Sequence, residues 1–142
     1  MSESIVMAFM EWTDKFSVGV AVFDDEHKKL IAIINDLYDH VARGADKLTL
    51  QRVSDALVDY TLTHFRHEED YFEEWAFPGA KEHIRDHEEL RHKVFEYRQD
   101  IAASETTELA AEMLRFLRSW LAQHILVEDK KYGAFLLEKG FH

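Results

Sequence analysis

From residue 24 onward, apolar residues recur in this chain at intervals of three and four. Leu30, Ile31, Ile34, Leu37, Tyr38 and Val41 mark one face of a first helix. Asp24 reads as its N-cap, Asp25 and Glu26 suit the positive end of the helix dipole, and Gly44 closes it. A second helix opens near Thr49, carries Val53, Leu57 and Tyr60 on one face, and runs to Trp75, stopping before Pro78. The third spans about Gly79 to Ala103, with Leu90, Val94 and Ile101 inward. The stretch from Ser104 to Thr107 reads as a turn. A fourth helix then holds Leu109, Met113, Phe116, Leu117, Trp120 and Leu121. Residues 1–23 show no helical period, and Phe16 to Phe23 reads as an extended, partly buried arm.

Four amphipathic helices joined by short connections make antiparallel neighbours. The predicted fold is therefore all-α, an up-down-up-down four-helix bundle with an extended N-terminal arm. It forms a single domain over 1–142, the arm covering 1–23 and the bundle 24–142. No repeat, low-complexity tract or linker leaves room for a second domain.

Composition narrows the function. Of 142 residues, 46% are apolar and 32% charged, enough for one proper core. With 17 Lys+Arg against 28 Asp+Glu, the net charge of −11 argues against nucleic acid and against a polybasic membrane anchor. Without cysteine there are no disulfides, zinc ribbons, iron–sulfur clusters, thiol catalysis or c-type haem attachment. Glu3 stands where a signal peptide wants positive charge, and no run approaches the roughly 18 apolar residues of a membrane span. A soluble cytoplasmic protein is expected.

The nine histidines change the picture. Extended by its own period, each apolar face meets one. The first reaches His27, the second His64 and then Glu68, the third His87 and His83, and the fourth His124. A single such histidine is most simply a hydrogen-bonded core residue. Five with a glutamate are not, because polar groups buried without partners cost roughly 1–3 kcal/mol each. A metal supplies the missing partner. His64 with Glu68 and His83 with His87 are (i, i+4) pairs that can reach a common ion. Ile84 stands where a zincin would need glutamate, so the second pair is not that motif. Asp129 lies five residues after His124, which on a regular helix is about 140° away. Spacing alone leaves it open between a surface acid and a ligand presented by a bent, bulged or ended helix.

These residues resemble the hemerythrin family, in particular its single-domain bacterial members. The likeness runs through Trp12, Phe16 to Val20, Phe23, Asp24 and His27. It continues through His64, Phe65, Glu68 and Glu69, then Phe77, Pro78, His83 and His87, and ends at His124, Ile125 and Asp129, covering about residues 11–140. The resemblance implies a non-haem centre of two iron ions with an oxide or hydroxide bridge. His83, His87 and His124 would hold one iron and His27 and His64 the other, with Glu68 and Asp129 bridging. Iron rests on this resemblance, since histidine-rich sites also suit zinc, copper or nickel.

Five imidazoles, two bridging carboxylates and a bridging oxygen fill all but one of twelve octahedral positions. The open one lies on the iron with two histidines, and O₂ can bind there. The expected function is reversible O₂ binding for storage, delivery or buffering, not enzymatic turnover. Trp120 and Leu121 stand where the family places apolar O₂-pocket residues, and Ile31 and Phe72 can join them. Two alternatives remain: an O₂ or NO sensor acting through a partner protein, and a di-iron oxidase or peroxidase. Ferritin-like oxidases carry two Glu-x-x-His units, whereas this chain has one, Glu89 to His92, which reads as surface. His40, His67, His92 and His142 are expected to be solvated, and Trp12, Trp75 and Tyr132 to pack at the bundle ends.

Overall fold

The computed structural model describes residues 9–103 and 108–141. The turn expected at 104–107, the first eight residues of the arm and His142 lie outside them. The fold is the expected four-helix bundle: α1 (Ala21–Ala42), α2 (Lys47–Trp75), α3 (Ala80–Ala103) and α4 (Glu108–Gln123). α4 continues without a break through a π-helical turn, His124–Asp129, into α5 (Lys130–Glu138). α2 packs on α1 and α3, and α4 closes the ring against the same two helices. Among the described residues no helix is long and apolar enough to cross a membrane.

Two helix starts differ from expectation. α1 begins at Ala21, three residues before the anticipated cap, because Asp24 has other work. Its carboxylate accepts from the Ser17 hydroxyl at 2.6 Å and the Val18 amide at 2.8 Å, folding the arm onto the helix it precedes. α2 begins at Lys47 because Asp46 is the cap, accepting from the Thr49 amide at 2.8 Å. The end of α2 falls as predicted: Ala76 turns left-handed at φ 53°, ahead of Pro78.

The arm is not wholly extended. It holds a short 3₁₀ turn, Asp14–Phe16, and buries Met10, Phe16, Val18 and Val20 in the core. Asn35 in α1 clamps it, exchanging 2.8 Å bonds with both the amide and the carbonyl of Met10. Farther on, the arm passes so close to α5 that a Cβ at Gly133 would lie 2.1 Å from the Val18 carbonyl oxygen. Only glycine fits at that crossing. The arm is thereby fixed beside the segment that carries Asp129.

Candidate metal centre

Every helix delivers polar side chains to one level of the core. α1 brings His27, α2 brings His64 and Glu68, α3 brings His83 and His87, and the π turn brings His124 and Asp129. All seven are buried, His124 the most exposed at 4%. The π turn removes the surface-acid reading of Asp129, which is 1% exposed. In π geometry residues i and i+5 stack, so His124 and Asp129 both face inward while Val127 between them is 45% exposed.

The donors form two groups with two members in common. Glu68, His83, His87, His124 and Asp129 make one, and His27, His64, Glu68 and Asp129 the other. Each carboxylate turns one oxygen toward each group. Glu68 Oε1 is 3.1 Å from His87 Nε2 and 3.6 Å from His83 Nε2, while its Oε2 is 3.4 Å from His64 Nε2 and 3.7 Å from His27 Nε2. Asp129 Oδ1 is 2.9 Å from His83 Nε2 and 3.1 Å from His124 Nε2, and its Oδ2 is 3.1 Å from His27 Nε2.

The residues fit a cation at each group. Bonds of about 2.1 Å at right angles would set neighbouring donors about 3.0 Å apart, close to the shorter of these spacings. Moreover, the donors converge instead of pairing. Both oxygens of Glu68 and of Asp129, and Nε2 of His27 and of His83, have no hydrogen-bond partner among the described groups. Such a cluster, left to itself, would cost an amount comparable to a domain's stability of about 5–15 kcal/mol.

Without cations, protons take their place. Burial alone would drive His64 toward neutrality, but Glu68 and Glu26 outweigh it and hold its pKa up to about 10. His83 is likewise held up to about 10, burial being overcome by Asp129 and Glu68. Burial would raise the carboxyl of Glu68, yet the imidazoles of His64, His27 and His83 hold it well below the usual range. Asp129 is lowered too, against burial and the charge of Glu68, by His124 and His27.

Outside this cage stands a layer that the sequence did not disclose. Glu26 lies 2.6 Å from His64 Nδ1 and Glu69 lies 2.7 Å from His87 Nδ1. His67, expected to be solvated, instead bonds Glu26 at 2.5 Å and is only 33% exposed. Thirty-eight positions separate Glu26 from His64, and no periodicity links them. The one hint was that each acid directly adjoins a donor, Glu26 before His27 and Glu69 after Glu68.

Aromatic rings wall the five-donor group. Phe65 stacks on His87 at 3.8 Å and Trp120 on His124 at 4.4 Å, while Phe72 sits 4.6 Å from His83. Trp120 and Phe72 thus touch the three-histidine side. Ile31 and Leu121 are buried on the same faces as His27 and His124, one turn deeper in the bundle. Tyr132 packs beside the α2–α3 connection, its ring 5.2 Å from Phe77. It is 1% exposed, its ring 4.4 Å from Phe72, and burial followed by the charge of Glu68 pushes its phenol pKa up.

The chain is similar to known proteins along most of its length. A family described as "Hemerythrin HHE cation binding domain" matches residues 18–136. A bacteriohemerythrin of Stenotrophomonas maltophilia is 35% identical over 89% of this chain and 81% of its own. One from Methylococcus capsulatus is 33% identical over 92% and 98%. The crystal structure of wild-type hemerythrin superposes with a TM-score of 0.83 at 31% identity, covering 91% of this chain and 98% of that one. Since the match runs from the arm at Val18 to Leu136 in α5, and so through every segment that carries a donor, the chain belongs to the hemerythrin family.

Proposed function

We propose that this chain binds O₂ reversibly at a pair of iron ions, as a cytoplasmic store, carrier or buffer and not as an enzyme. The observation that carries the reading is the inequality of the two donor groups, five against four, with both carboxylates common to each. His83, His87, His124, Glu68 and Asp129 would hold one iron, and His27, His64, Glu68 and Asp129 the other. The group with two imidazoles leaves one more position unclaimed by protein, and that is where a small ligand has room. When bound, two irons supply the open position and the electrons that holding O₂ requires.

The chain's own residues set what happens there. Five neutral imidazoles against two carboxylates leave more positive charge on the cations than a carboxylate-rich set would, which disfavours highly oxidised metal. Burial of all seven donors keeps water out. Ile31 and Leu121, buried one helical turn from His27 and His124, would offer a bound ligand an apolar wall, while Trp120 and Phe72 hold His124 and His83 in place by ring contact. The relatives' name, bacteriohemerythrin, supports the same reading.

The test is a spectroscopic cycle on iron-loaded protein: anaerobic reduction, brief exposure to air, then removal of O₂. A binding protein returns to its reduced spectrum over repeated cycles. Irreversible bleaching, or steady consumption of O₂ with a reductant, would refute the assignment.

A further inference from the structure

We propose that Glu26 and Glu69 are positioning residues that aim one imidazole of each donor group at the cations, and that Glu26 acts the more strongly. This rests on the two-cation reading above. A carboxylate that accepts from Nδ1–H fixes the tautomer, so that the Nε2 lone pair faces inward, and makes the ring a better donor. Glu26 does this for His64 at 2.6 Å and Glu69 for His87 at 2.7 Å.

The two differ in what else they hold. Glu26 uses its oxygens separately, Oε1 for His64 and Oε2 for His67. Glu69 uses one oxygen twice, since its Oε2 also lies 2.7 Å from Arg91 Nη2. A guanidinium is permanently charged, and sharing that oxygen draws electron density away from the bond to His87. Solvent does not account for the contrast, because both carboxylate side chains are 20% exposed. His67, the second partner of Glu26, is itself held between Phe23 at 5.4 Å and Tyr71 at 5.0 Å. The outer carboxylate whose bonding oxygen is not shared with a permanent cation therefore serves the four-donor group, which lacks a third imidazole. The stronger support falls on the poorer half.

The experiment is titration of metal-free protein with cobalt(II), followed by its visible absorption bands and by a competing chelator. Wild-type chain is expected to take up two cobalt ions. Glu26→Gln, of the same size, is expected to weaken one of them by about 10–100-fold and alter its bands. Glu69→Gln weakens binding less, and Glu26→Asp, which keeps the charge, falls between Glu26→Gln and wild type. Circular dichroism of the metal-free proteins stays level, and the loss is confined to one of the two cobalt ions and its bands, which a merely structural role would not produce. Two cobalt ions held by Glu26→Gln as tightly as by wild type would overturn the proposal, as would an equal or larger loss in Glu69→Gln. If the wild-type chain binds no cobalt, the two-cation reading itself falls, and this inference with it.

Discussion

At the scale of single residues, this centre is a problem of buried charge with two solutions, cations or protons. In the metal-free chain His64 and His83 keep their protons up to about pH 10, whereas an unfolded histidine releases its own near 6.5. A raised folded-state pKa stabilises fully below the unfolded value, and that stability is lost as pH rises through the folded one. The melting temperature of metal-free protein is therefore expected to fall as pH climbs from about 6.5 through 10. Metal-loaded protein, in which cations replace those protons, is expected to show no such fall over the same range. A metal-free melting temperature that stays flat across that interval would mean the imidazoles and carboxylates are not coupled as the geometry places them. The donors were legible as residues because each continues an apolar helical face into a polar side chain, as His27 continues that of Leu30, Ile31 and Ile34. Glu26 and His67 were not, because their partnership is made across two helices and leaves no period in either.

At the scale of elements, the irregular parts do the positioning. A regular helix would carry Asp129 out of the cage, and the π turn His124–Asp129 returns it. Spacing revealed that something irregular was needed there but not which irregularity, since a bend, a bulge and a break all satisfy the same angle. The start of α1 was missed for a related reason. Asp24 looks like a cap in one dimension, yet its carboxylate ties back to Ser17 and Val18. That tie brings the arm to Gly133, where a Cβ would meet the Val18 carbonyl oxygen at 2.1 Å. Gly133→Ala must push the arm off α5, at a cost of about 1–3 kcal/mol or more. The check is chemical denaturation of the metal-loaded variant against wild type. Equal midpoints would show that the arm is not seated on α5 as described.

At the scale of the whole molecule, bundle and site are one design. Four antiparallel helices bring donors from distant parts of the chain to a single level, and the aromatic rings of Phe65, Phe72 and Trp120 seal one flank. The all-α bundle could be read from apolar spacing because few glycines and a single proline interrupt it. How the carboxylates divide their oxygens between two groups could not, since that depends on side-chain rotation and not on register. The central claim is that Glu68 and Asp129 each face two cations at once. Anomalous diffraction at the iron edge, from crystals of iron-loaded protein, tests it most directly. The account predicts two separate peaks, one among His83, His87 and His124 and the other beside His27 and His64, with Glu68 and Asp129 between them. A single peak, or none inside the bundle, would contradict it.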